Sequence, residues 1–129
     1  MNTNHGFVIW ARQTIESDIF LHKPDKWFKI FFFLVCSANY EDFKGQKRGE
    51  IRASYSTIST FTGATKNEIY KCIKWLKEDD MIIQSKTTKG YVRFLPNYAK
   101  YQDFETYKDY SKDDKRDDKR DDKGNEKKN

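Results

Sequence analysis

A chain of 129 residues has room for one small domain with appended segments rather than for two full domains. Charged residues make up 35% and aromatic residues 16%, a composition that fits a soluble protein with one concentrated core. The formal net charge is +5; residues 111–129 hold eight Lys/Arg against seven Asp/Glu, so +4 lies in the body and mildly favours an acidic partner such as nucleic acid. The longest apolar run, residues 30–36, is too short to cross a bilayer. Residues 1–13 lack a basic region followed by an apolar stretch and a cleavage site, so no membrane partner and a cytoplasmic location are expected. Cys36 and Cys72 stand alone within apolar helical patterns, without metal-ligand or disulfide spacing, and read as buried core thiols.

Residues 1–5 read as an unstructured N-terminus. Residues 6–10, GFVIW, form a short apolar run that suits a strand or the start of a helix, and residues 12–20 set Ile15, Ile19 and Phe20 among polar residues in a helix-compatible pattern. Pro24 prepares a helix start, with Asp25 in the first turn where negative charge suits the dipole. Over residues 26–38, Trp27, Ile30, Phe31, Leu34, Val35 and Ala38 make one apolar face, and Phe28, Phe32 and Phe33 extend apolar surface nearly all round. Such a helix is central to the core or shared with another surface. The favoured reading packs it against both the N-terminal segment and the helix at residues 65–76, while the surplus of Phe permits a homodimer through it without requiring one.

Residues 40–48 are polar, contain Gly45 and predict a loop; residues 49–53, GEIRA, predict a short strand. Ser54 offers a cap for a helix over residues 55–61, with Tyr55, Ile58 and Phe61 near one face, and Gly63 supplies a permissive backbone for the turn that follows. Next comes TKNEIYKCIKWL, residues 65–76, around which the chain is organised. Ile69, Cys72, Ile73 and Leu76 recur at three- and four-residue steps on one helical face, opposite Asn67, Tyr70, Lys71 and Lys74. TKNE is the pattern of a capping box, which starts the helix at Thr65. The N-terminal dipole and unpaired amides, with Lys66, Lys71 and Lys74 nearby, suit a phosphate backbone, although lysines also merely solvate surface helices.

Asp79 and Asp80 close this helix. Residues 81–85, MIIQS, and 91–95, YVRFL, predict the two strands of a hairpin turning at residues 87–90, with Lys86, Lys89 and Arg93 on or near its tip. Lysines on a hairpin also block edge pairing. Pro96 ends the hairpin, and residues 97–110 carry Tyr98, Tyr101, Phe104, Tyr107 and Tyr110 at steps of three, a helical stripe expected to pack on the domain as far as Phe104 rather than to stack bases. After Tyr110, DDKR recurs at a period of four with no apolar residue, so the tail is expected to be disordered or transiently helical. The fold class expected is α+β, mainly α: a winged helix-turn-helix with a C-terminal two-stranded wing over residues 6–104, then an extension and low-complexity charged tail over residues 105–129.

Catalytic patterns are absent from the sequence. His5 and His22, its histidines, are not spaced with a Ser or Cys as nucleophile and base, and there is no phosphate-binding loop or dinucleotide fingerprint. Asp79, Asp80 and the Asp pairs of the tail sit beside Lys and Arg, which disfavours a divalent metal. No enzyme activity, cofactor or metal is expected.

Apolar helix, short strand, helix, turn, second helix and hairpin follow one another in GFVIWARQTIESDIF, KPDKWFKIFFFLVCSANYED, KRGEIRASYSTIS and KTTKGYVRFLPNYAKYQ. Together these segments, covering about residues 6–102, resemble the N-terminal winged-helix domain of phage replisome organisers, the DnaD-like replication initiation proteins. The resemblance implies a DNA-binding module that recognises a replication origin and helps to load the replicative helicase. Proteins of this kind usually carry a second helical domain; here an aromatic segment and a charged tail follow Gln102, a departure that bears on helicase loading and leaves duplex binding untouched.

The expectation is a sequence-specific double-stranded DNA-binding protein of a phage or mobile element, acting in replication initiation. Thr65, Lys66, Asn67, Tyr70, Lys71 and Lys74 form its DNA-binding helix and Lys86, Lys89 and Arg93 its wing contacts, with Asn67 or Tyr70 reading base edges and the lysines neutralising phosphates. A transcription regulator would use the same surface. A third reading, a protein-interaction module, would dock a host factor such as a replication protein through the Phe-rich helix or the tail.

Overall fold

The apolar spacing along the chain is realised as helices in a mainly helical α+β structure with a small antiparallel sheet. The structure, a computed structural model, describes residues 6–42, 44–88 and 90–103. The chain divides into two units, residues 1–99 and residues 100–129. Described elements run from a 3₁₀ helix (Arg12–Glu16) through α1 (Asp18–Leu21), α2 (Asp25–Ser37), β1 (Glu50–Ile51), α3 (Tyr55–Thr62), α4 (Lys66–Glu78), β2 (Ile83–Thr87) and β3 (Gly90–Phe94) to α5 (Tyr98–Tyr101). Among the described residues no helix is long and apolar enough to cross a membrane.

The segment at residues 12–20 is not one helix. Ser17 takes extended backbone, φ −77° and ψ 157°, and its hydroxyl donates to the Thr14 carbonyl at 2.6 Å, ending the 3₁₀ turn and opening α1 at one residue. Residues 7–11 form neither strand nor helix. They attach through Trp10, whose ring stacks on Phe32 at 5.3 Å and meets Phe28 at 5.7 Å and Phe31 at 6.1 Å. Part of the all-round apolar surface of α2 is therefore covered by the N-terminal segment. The opposite side of α2 buries Ile30, Phe33 and Leu34, and the helix packs on α3 and α4.

One core joins helices to sheet. Ile30, Leu34, Ile51, Ile58, Ile69, Cys72, Ile73, Leu76 and Ile82 are fully buried, and each aliphatic side chain of this size stabilises the fold by about 1.5–3 kcal/mol through loss of apolar surface to water. The sheet order is β1-β3-β2, all antiparallel, with Ile51 opposite Arg93 and Gln84 opposite Arg93 on the other side. β1 is tied to the end of α2 by Asn39, whose amide donates to the Glu50 carbonyl at 3.0 Å and whose carbonyl accepts from Gly49 at 2.7 Å. Gly49 is required here: at φ +91°, a Cβ would lie 3.0 Å from Tyr98 Cβ and 3.1 Å from the Leu95 carbonyl oxygen.

The first hairpin strand begins two residues later than its apolar pattern predicts. Asp80 sits in the left-handed region at φ 59°, its amide donating to the Lys77 carbonyl at 3.1 Å, and the Met81 amide returns to the Leu76 carbonyl at 2.8 Å. This paired pattern is a Schellman motif with Asp in the position usually held by Gly. Met81 and Ile82 thus complete the end of α4 before β2 starts. At the other end of the sheet, Tyr98 is buried and opens α5. In the second unit, the described residues 100–103 include the last two residues of α5, with Lys100 Nζ 5.5 Å from the Tyr101 ring centroid. Phe104, Tyr107, Tyr110 and the DDKR tail lie outside the described residues.

Candidate functional site

The polar face of α4 is held in place by a short, fully bonded connection. Gly63, at φ 76°, ends α3, and its amide donates to the Ser59 carbonyl at 2.8 Å. The Thr62 hydroxyl donates to the Ile58 carbonyl at 2.7 Å and accepts from the Ala64 amide at 3.2 Å, while the Ser59 hydroxyl donates to the Ala64 carbonyl at 2.7 Å. Small hydroxyl side chains therefore satisfy backbone groups that a three-residue turn would otherwise strand.

Thr65 then opens α4 with the capping box that TKNE predicts. Its hydroxyl accepts from the Glu68 amide at 3.1 Å, and the Glu68 carboxylate accepts from the Thr65 amide at 2.8 Å. That backbone bond, aided by Lys26, holds the Glu68 carboxyl below its ordinary pKa. Lys26, from the first turn of α2, donates to the Gly63 carbonyl at 3.2 Å and lies 3.7 Å from the Glu68 carboxylate, so it ties the connection to the start of that helix. The Thr65 and Glu68 amides are thereby occupied, and the Glu68 charge already answers the helix dipole. An anion approaching this end meets the remaining first-turn amides and Lys66 rather than an empty helix terminus.

With Ile69, Cys72, Ile73 and Leu76 buried, α4 presents Asn67, Tyr70, Lys71 and Lys74 to solvent, spaced i, i+3, i+4 and i+7, beside exposed Thr65 and Lys66. The Lys74–Glu78 ion pair, 3.9 Å and well exposed, contributes about 0.3–0.5 kcal/mol at most. On the hairpin, Lys86 is exposed opposite Tyr91. Arg93 does not sit near the tip as its place in the sequence suggests. The strands close at the Thr87–Gly90 pair, so Arg93 falls in mid-sheet between Gln84 and Ile51. It is half-buried, donates from Nε to Gln84 Oε1 at 3.1 Å and sets its guanidinium 5.2 Å from the Tyr55 ring centroid. Lys89 lies outside the described residues.

Between α4 and the sheet runs an open groove of about 360 Å³. Tyr55, Tyr70, Lys74 and Lys77 line it from the helices, Gln84, Tyr91 and Arg93 from the sheet, and the buried Ile73 completes it. Three residues expected to bind, Tyr70, Lys74 and Arg93, thus border this groove, whereas Asn67 and Lys71 lie on the same helical face as Tyr70 and Lys74 without lining it. Tyr55, Lys77, Gln84 and Tyr91 join them, although sequence spacing gives none of the four a binding role. Lys77 follows Lys74 by one turn, and Tyr91 alternates with Arg93 onto one sheet face, but only the packing of the sheet on α4 brings these residues opposite one another.

Cations, phenol rings and an asparagine on one surface equip it to attract phosphate, stack on flat ligands and hydrogen-bond. Among the described residues no group of three or more His, Cys, Asp or Glu is placed to hold a metal ion. Cys72 is buried, its thiol pushed up to about 12 by loss of solvation, and Sγ lies 3.7 Å from the Trp27 carbonyl oxygen. Set beside known proteins, the chain matches no family model, no curated protein and no solved structure.

Proposed function

We propose that this chain is a winged helix-turn-helix protein that binds double-stranded DNA sequence-specifically, with α3, its turn and α4 as the helix-turn-helix and β2–β3 as the wing. The observation that carries this reading is the outward face of α4, where Asn67, Tyr70, Lys71 and Lys74 stand together on a helix anchored by a capping box and flanked by a basic hairpin. At 1.5 Å per residue, α4 is about 20 Å long and 10–12 Å across, dimensions that fit a B-DNA major groove roughly 12 Å wide. Asn67 reads an adenine edge, Lys66, Lys71 and Lys74 neutralise phosphates, and Lys86 contacts backbone from the wing. Arg93 acts from the groove rather than from the wing tip, and the reaction class is binding without catalysis.

The resemblance to replisome organisers supports replication initiation in a phage or mobile element as the setting; an operator-binding regulator is the alternative use of the same surface. Outside the groove lining, Phe20 and Phe32 are 46% and 43% exposed and both pack on Phe28. That aromatic patch favours a protein contact, either a second copy or a host replication protein, in addition to DNA.

Fluorescence anisotropy with duplexes tiled across the chain's own gene and its flanks, at two salt concentrations, tests the reading. One duplex bound tightly at the higher salt is the expected result, and its position separates origin from promoter. Uniform weak binding that disappears with salt would leave only phosphate attraction and overturn sequence-specific recognition.

A further inference from the structure

The groove between α4 and the sheet has more aromatic surface than a paired duplex needs. Tyr70 is 55% and Tyr91 61% exposed, and both line it. Paired bases show a protein their edges and keep their faces stacked, so in intact duplex DNA the faces of exposed phenol rings have no base to stack on, whatever their hydroxyls bond. An unpaired nucleotide offers both a base face for the rings and a phosphate for Lys74 and Lys77, the combination by which proteins hold single strands. The positions are regular: Tyr70, Lys74 and Lys77 follow one edge of α4 at i, i+4 and i+7, and Tyr91 faces them from β3. Arg93 is restrained below by Gln84 and the Tyr55 ring, which keeps a fixed cation in the groove without closing it. A volume of about 360 Å³ lies at the low end of the roughly 300–1,000 Å³ typical of small-ligand sites, suited to one nucleotide rather than a long strand.

We propose that this groove takes a single unpaired nucleotide next to the duplex held by α4, its base stacked on the exposed tyrosine rings and its phosphate paired with Lys74 and Lys77. This rests on the DNA-binding reading and narrows its substrate to duplexes that carry a fork or single-stranded end. Recognition of this kind places the protein where a duplex has begun to open.

The test compares full-length protein on a blunt duplex and on the same duplex ending in a short unpaired oligothymidine fork, by anisotropy, with 2-aminopurine at the first unpaired position reporting stacking. The forked duplex should bind roughly tenfold more tightly, with quenching of the 2-aminopurine. Tyr91→Ala should abolish both, while Tyr91→Phe, which retains the ring, should keep them. Equal affinity for both duplexes, or a fork preference that survives Tyr91→Ala, would overturn the groove proposal and leave duplex binding standing. Loss of the preference in Tyr91→Phe would refute stacking as its cause. Failure to bind either duplex even at low salt would overturn the DNA-binding reading and the groove with it.

Discussion

Asn67 and Lys71 are four residues apart on one exposed face of α4, yet their side chains suit different kinds of interaction. An asparagine amide can form paired hydrogen bonds with an adenine edge, whereas a lysine ammonium is a point charge that cannot tell one phosphate from another. Asn67→Ala is therefore expected to cost about 1–3 kcal/mol at the preferred duplex and little elsewhere, and Lys71→Ala to weaken all duplexes and lower the salt slope by about one, both read by anisotropy over a salt series. Binding of Asn67→Ala that equals wild type at the preferred site would remove that residue from recognition. Glu68 sets a different dependence. Its carboxyl pKa is lowered in the fold, first by the bond from the Thr65 amide, so its stabilising effect is present above the ordinary carboxylate range and fades as pH falls through the lowered value. Glu68→Gln should melt below wild type at neutral pH, with the difference closing on acidification; a gap that stays constant down to pH 2 would contradict the charge-based account.

At the scale of elements, the turns decide how α4 is presented. Gly49 and Gly63 both have positive φ, but Gly63 has nothing within 4 Å of a built Cβ while Gly49 is crowded by backbone and side chain. Gly63→Ala should cost about 1–2 kcal/mol from the left-handed backbone alone. Gly49→Ala should cost more, because the contact with Leu95 is to main chain that cannot rotate away. Urea midpoints of the two variants should rank in that order, and the reverse ranking would show that β1 moves to accommodate the new methyl. Asp80 is the complementary case. It holds the left-handed position of the Schellman motif at φ 59°, where Gly is free of the Cβ penalty, so Asp80→Gly should raise stability by about 1 kcal/mol. A fall in melting temperature would mean that the Asp side chain contributes more than its backbone costs.

Across the first unit, the helices and the sheet share one core, and Cys72 reports on it. Its side chain is fully buried and its thiol is pushed up to about 12, whereas Cys36 is partly exposed with a thiol raised by burial to a lesser depth. Because the thiolate is the reactive form, a thiol reagent at pH 8 should modify Cys36 first in the native protein, and labelling of Cys72 should follow global unfolding across a urea gradient, as followed by mass spectrometry. Labelling of Cys72 well before the unfolding midpoint would instead show that α4 opens on its own. The distribution of exposed groups over the same unit gives it two distinct surfaces: cations with phenols along α4 and β3, and the Phe20–Phe32 side with its apolar rings. The proposed activity uses the first for DNA and leaves the second for protein.

Features written within four or five residues are legible in the chain alone. The capping box of TKNE, the buried stripe of Ile69, Cys72, Ile73 and Leu76, the cap at Ser54 and the left-handed Gly63 are local, because helical geometry brings i, i+3 and i+4 together whatever the rest of the chain does. The outward set of Asn67, Tyr70, Lys71 and Lys74 follows from the same periodicity. Long-range packing, by contrast, sets Trp10 over α2, joins a two-residue β1 to β3, places Arg93 in mid-sheet beside Gln84 and Tyr55, and brings Tyr91 and Lys77 to one groove. Even the start of β2 was set by Met81 and Ile82 folding back on α4. These are meetings between residues far apart in the chain or competitions between two elements for the same backbone groups. Their outcome depends on which packing buries most apolar surface while satisfying every amide, a condition on the whole fold that no short window of sequence contains.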